Sequence, residues 1–268
     1  MIISGVKNAG KKLFSAFGLE IRRKRAEEIP RAGMRGALRQ LCQLGFRPRT
    51  VIDVGVAWGT PDLYREFPES KILLIEPQAE FEPILKRICD EYQAQYVLAA
   101  AGAEPGIAMF NVHSDSLHSS SLLKEVEGAS VDGVPREVRV TTIDQVCAEK
   151  GLKGPYLIKL DVQGAELQAL AGARETLNET EAIHLEVTLF GTFLGGPQLY
   201  DVVARMKELG FVVYDIHNFL YRPLDGALSQ ADLLFVREDG RFRTSHAFAT
   251  PDQRKALAMP PDPFLKNV

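Results

Sequence analysis

Cysteine is scarce: Cys42, Cys89 and Cys147 are too far apart for a CxxC pair or a zinc-finger spacing. That excludes a disulfide-stapled secreted module and a cysteine-based metal site, and leaves reduced thiols of the cytosolic kind. No run of 18 apolar residues occurs, and the first residues form no continuous apolar core, so neither a bilayer span nor a signal peptide is expected. Basic residues are not in excess. Lys and Arg number 32 against 35 Asp and Glu, for a net charge of −3, and no basic cluster is interleaved with aromatics. Nucleic acid is therefore not expected as a partner, and a cytoplasmic location is. Against these deficits, 46% of the 268 residues are hydrophobic, enough for one domain of about 200 residues with terminal additions.

Charge is distributed unevenly. Residues 1–35 carry nine Lys or Arg against three Glu, with apolar Ile2, Ile3, Val6, Leu13, Phe14, Phe17 and Ile21 at helical spacing. An amphipathic helix with a basic face has two readings: contact with an anionic inner-membrane surface, or packing on the domain with its charges in water. The chain divides into a basic helical extension at 1–47, a main domain at 48–238 and a polar, proline-rich tail at 239–268 that is expected to be extended.

Within the main domain, short apolar runs alternate with helical periods. Strands are expected at Val51–Val54, Lys71–Ile75, Gln95–Ala99, Tyr156–Leu160 and Ala182–Val187, followed by a terminal antiparallel pair, Phe211–Tyr214 and Asp232–Val236. One helix is expected from Ala165 to Leu177, and Thr142 reads as the N-cap of another. Residues 100–140 lack a helical period and read as an inserted set of hairpins and loops. The pattern predicts an α/β fold with a doubly wound, mostly parallel sheet, whose ligand lies beyond the carboxyl ends of the strands.

The residues following the strands therefore matter most. VIDVGVAWGT at 51–60 ends the first strand on Asp53 and turns through Gly55 and Gly59; LLIEP ends the second on Glu76 and Pro77. Glycine lets a backbone approach a nucleoside, and an acid ending the second strand can accept from both hydroxyls of a ribose. The spacing Gly55-xxx-Gly59 is not the GxGxxG of a dinucleotide loop, and Asp62 would repel a pyrophosphate. Two acids here suit a cofactor bearing an ammonium and a sulfonium, as S-adenosylmethionine does. After the fourth strand comes IKLDVQGAELQALAGA at 158–173, where Lys159 and Asp161 share a face; after the fifth, His184 and Glu186 share another. Asp161 and Glu186 could act as a general base, orient an acceptor hydroxyl or hold a divalent cation, or Asp161 could simply cap the next helix.

The loop VIDVGVAWGT, the LLIEP strand end, SSSL at 119–122, VTTID at 140–144 and above all IKLDVQGAELQALAGA resemble the FkbM family of S-adenosylmethionine-dependent methyltransferases, over about residues 50–238. The resemblance implies a class I methyltransferase fold of Rossmann-like type and an activity usually directed at oxygen, on a sugar, glycan or natural product. By the same resemblance Asp53, Gly55, Gly59, Glu76 with Pro77, and Asp161 would bind cofactor. Trp58 stands where many members have a small residue and would wall the methionine part or merely pack. Ala100, after the third strand, would offer its backbone to the adenine. Asp161, then Glu186, are the candidate bases, with His217 expected near the carboxyl edge of the sheet and His113 and His118 in the insertion as alternatives. Residues 107–139 are the expected acceptor lid. Rival readings are a non-catalytic binding domain and a nicotinamide-dependent oxidoreductase.

Overall fold

The computed structural model describes residues 31–128 and 130–257. The amphipathic segment expected near the N-terminus lies outside them up to residue 30. Helix α1 (Met34–Gln43) forms because Ala37, Leu38 and Leu41 fall on one buried face. It stops where Gly45 takes φ +84° and the Phe46 N–H donates to the Leu41 carbonyl at 3.0 Å. This helix and Phe46 belong to the same apolar cluster as Val51 of the first strand. The boundary expected at residue 47 is thus corrected: the helix is part of the domain, because its apolar stripe packs into the cluster around the first strand.

The chain continues through β1 (Thr50–Val54), α2 (Pro61–Glu66), β2 (Lys71–Glu76), α3 (Glu82–Glu91) and β3 (Ala94–Leu98). Strands β4 (Ala100–Ala101), β5 (Gly106–Val112) and β6 (Val134–Thr141) follow, then α4 (Ile143–Glu149), β7 (Tyr156–Leu160), α5 (Glu166–Ala171), α6 (Arg174–Asn178), β8 (Thr180–Thr188) and α7 (Leu199–Glu208). The hairpin β9 (Phe211–Tyr221) and β10 (Leu228–Arg237) and a last helix α8 (Pro251–Leu257) complete it. Seven strands form one sheet in the order β3-β2-β1-β7-β8-β10-β9, parallel except where β10 runs against β8 and β9. Among these seven in chain order the arrangement is 3-2-1-4-5-7-6. The order reverses between β1 and β7, which opens a crevice at the carboxyl ends of those strands. Every residue of β1 and of β7 is buried, as expected for central strands covered on both faces.

Three sequence expectations change. The single helix from Ala165 to Leu177 is two helices, broken at Gly172 because the chain there presses on Gly102: a Cβ on Gly172 would stand 2.1 Å from the Gly102 carbonyl oxygen. The second helix gains its own cap, the Asp144 carboxylate accepting from the N–H groups of Glu175 and Thr176 at 3.0 and 2.8 Å. The insertion is more ordered than loops, forming a separate sheet in the order β4-β6-β5 around Phe110, Val112 and Val138. The tail, expected to be extended, carries a helical turn at Arg241–Arg243 and α8. The Thr142 cap is present, its Oγ1 accepting from Gln145 N–H at 3.1 Å. No helix among the described residues is long and apolar enough to cross a membrane.

Candidate active site

A cavity of about 450 Å3 opens at the carboxyl ends of β1, β2, β7 and β8. Its first wall is the loop after β1. Gly55 and Gly59 hold φ of +73° and +91°, which glycine accepts without strain. At Gly55 a side chain is impossible on packing grounds as well, since a Cβ would stand 1.8 Å from the Asp161 carbonyl oxygen. Glu76 fixes the loop's far side: its Oε2 accepts from Ala57 N–H and its Oε1 from Gln78 N–H, each at 3.0 Å. Burial raises the Glu76 carboxyl above its ordinary value, and those two amides pull it back. Each oxygen keeps a lone pair for a ligand, so Glu76 both shapes the loop and remains an acceptor. Pro77 and Ala100 also line the cavity, and Trp58 lies at it, 62% exposed and edge-on to Phe81 at 5.0 Å.

Beneath the cavity runs a row of polar residues on one face of the sheet. Period-two alternation puts Asp53, Lys159 and His184 side by side on β1, β7 and β8, with Glu186, Asp232 and His217 one step nearer the carboxyl edge. Lys159 is the cation among them. Its ammonium lies 3.1 Å from Asp53 Oδ1 and 3.7 Å from Asp161 Oδ2, and donates to the Gly55 carbonyl at 2.7 Å. Burial pulls the Lys159 pKa down, but Asp53 and Asp161 outweigh it and hold the group charged.

This corrects the expectation for Asp53. The acid is fully buried, does not line the cavity, and spends its oxygens on Lys159 and on the hydroxyl of Tyr64, which donates to Oδ2 at 2.5 Å. Its side chain points to the α1–α3 side of a central strand, where Tyr64 of α2 covers it. It braces the loop from beneath instead of meeting a ligand. His217 is also corrected. It sits inside β9, which is longer than expected, is fully buried, and lies behind the cavity wall with its Nε2 3.0 Å from His184 Nε2. His113 does not line the cavity and lies 3.7 Å from Glu125, whereas His118 does line it.

Asp161 and Glu186 do come together. The Gln163 amide donates to Asp161 Oδ1 at 2.9 Å and to Glu186 Oε1 at 3.2 Å, and the Gln230 amide reaches that same Glu186 oxygen at 2.9 Å. An amide thus bridges the two acids that the sequence offered as cation ligands. Asp161 does not cap α5, whose N-cap is Ala165 without a side-chain bond; Glu166 instead accepts from the N–H groups of Val162 and Gly164. Burial, then Asp161 and Asp232, raises Glu186 to about 8. Burial raises Asp232 to about 6. Gln163, Gln230, Asp232 and Tyr64 were missed in the sequence. The acid in the apolar run ADLLFV and the glutamine within DVQGAE were the available signals.

A 3-2-1-4-5-7-6 sheet with a glycine turn after the first strand and an acid ending the second is the architecture of class I methyltransferases. Residues 53–213 match the model of the methyltransferase FkbM domain, and the chain belongs to that family. The 2-O-methyltransferase NoeI of Sinorhizobium fredii is 42% identical over 64 residues, 24% of this chain and 26% of NoeI, so the match spans about a quarter of that relative's length. A methyltransferase FkbM from Methylobacillus flagellatus KT aligns with a TM-score of 0.43 and 17% identity over 69% of this chain and 43% of its own. A Burkholderia thailandensis 1,6-didemethyltoxoflavin N1-methyltransferase aligns with a TM-score of 0.40 and 10% identity, over 77% of this chain and 79% of that one.

Proposed function

We propose that the chain transfers a methyl group from S-adenosylmethionine to a hydroxyl of a sugar or glycan. The observation that carries this is the acidic lining of the cavity: Glu76, Asp161, Glu186 and Asp232 line it, and among the described lining residues the one ammonium, Lys159, is already paired. Such a lining favours a cationic ligand and disfavours a pyrophosphate. The helix after the glycine loop argues the same way. It is six residues long, opens on Pro61, which has no N–H to give, and carries Asp62 in its first turn.

Gly55 and Gly59 would give the backbone its close approach, and Glu76 would accept from ribose hydroxyls, with Pro77 and Ala100 beside it. S-adenosylmethionine supplies an activated methyl group. The protein's share is to hold the acceptor oxygen in line and remove its proton. Glu186 is the better base of the two acids. Asp161 is already engaged by the Lys159 ammonium and the Gln163 amide, while burial, and then the carboxylates of Asp161 and Asp232, make Glu186 more basic. Asp161 and Gln163 then position Glu186. Trp58, exposed at the cavity, offers an aromatic face to the apolar side of a sugar ring, and Phe110, His118 and Ser120 from the insertion complete an acceptor wall.

NoeI is by name a 2-O-methyltransferase, which favours a hydroxyl at a 2-position as the first acceptor to try. Incubation with S-adenosylmethionine and a panel of oligosaccharides, read by mass spectrometry, should show a gain of one methyl group on oxygen together with S-adenosylhomocysteine. Methylation confined to amines would overturn the oxygen assignment.

A further inference from the structure

Behind the cavity wall, three ligand-bearing side chains converge whose presence methyl transfer does not explain. His184 of β8, His217 of β9 and Asp232 of β10 each offer one donor atom, and those atoms all lie within 4.8 Å of one another. His184 Nε2 is 3.0 Å from His217 Nε2 and 3.4 Å from Asp232 Oδ2. Zinc bonds to nitrogen and oxygen at about 2.0–2.2 Å place neighbouring tetrahedral ligand atoms about 3.3 Å apart, so the two separations bracket what one ion requires.

Both imidazoles are buried, with their Nε2 atoms turned to each other and their Nδ1 atoms without a partner among the described residues. Asp232 has the support usual for a ligating carboxylate, Asn218 Nδ2 donating to its Oδ2 at 2.6 Å.

We propose that His184, His217 and Asp232 bind one divalent transition-metal ion of the zinc kind, through the two Nε2 atoms and the aspartate oxygen. His184 and Asp232 line the cavity and His217 does not, so the position left open by three protein ligands faces the cavity. The assignment stands on these ligands alone and is independent of the methyl-transfer reading.

The test uses the full-length chain with its cysteines alkylated, stripped with a chelator and then dialysed against Zn2+ or Co2+. Elemental analysis should find about one ion per chain. Co2+ should give visible ligand-field bands without thiolate charge transfer. Asp232→Asn and His217→Gln should each lower Zn2+ affinity by roughly a hundredfold while leaving the circular dichroism spectrum unchanged. Uptake below about a tenth of an equivalent by the folded wild-type chain overturns the assignment, as does binding that both variants retain. Should a variant not fold, the wild-type Co2+ spectrum decides: nitrogen and oxygen ligation supports the site, and no spectrum refutes it.

Discussion

The glycine at position 55 and the carbonyl of Asp161 are in contact so close that a methyl group between them would sit 1.8 Å from the oxygen. The cofactor loop and the strand end carrying the candidate acids are thereby one rigid unit, with Lys159 tying both from below. Gly55→Ala must move one of them and also strains a φ of +73°. The expected outcome is at least a tenfold loss of S-adenosylmethionine affinity, about 1.4 kcal/mol, with a lowered Tm. Titration calorimetry and thermal melts check it.

Lys159 and Asp53 form a buried pair. Lys159→Met leaves Asp53 as an uncompensated buried charge and should cost about 3–5 kcal/mol in urea unfolding. Asp53→Asn in the same chain should recover a large part of that loss, giving a double-mutant coupling of about 1–3 kcal/mol.

Glu186 carries the pH dependence. Its folded pKa is raised from 4.5 to about 8, so the fold holds this proton more tightly than the unfolded chain does. The resulting stability is fully present below about pH 4.5 and is lost as pH rises through about 8. Glu186→Gln should flatten that decline in urea midpoints between those limits. As the proposed base, Glu186 must be ionised, so wild-type kcat/KM should climb toward pH 8, and the glutamine variant should be slower by about 10²–10⁴-fold with that limb removed.

Trp58 is exposed and meets Phe81 edge-on. Trp58→Ala should leave Tm within about 2 °C and raise the acceptor KM severalfold with little change in kcat, the pattern of lost ground-state binding. Steady-state kinetics against the acceptor check it.

What could be read from the sequence followed from periodicity and strand ends. Alternating β and α runs gave the sheet and its open edge, and the glycines with Glu76 marked the turn after β1 and the strand end beside it. Pairing across strands was not legible, because it depends on register. Asp53 reads as a strand-end acid until β1 is set beside β7, when Lys159 becomes its opposite number. His217 reads as a residue beyond a short strand until β9 extends to Tyr221 and carries it into the core beside His184. The break at Gly172 arises from Gly102, some seventy residues away in the chain, which no local helix signal contains.

The most direct measurement is titration calorimetry of the full-length chain with S-adenosylmethionine and, in parallel, with NAD. One S-adenosylmethionine per chain, with a dissociation constant in the micromolar range (about −8 kcal/mol), and no heat with NAD is the expected result. A folded chain that gives no heat with S-adenosylmethionine at about millimolar concentration would contradict the cofactor assignment and the proposed methyl transfer with it.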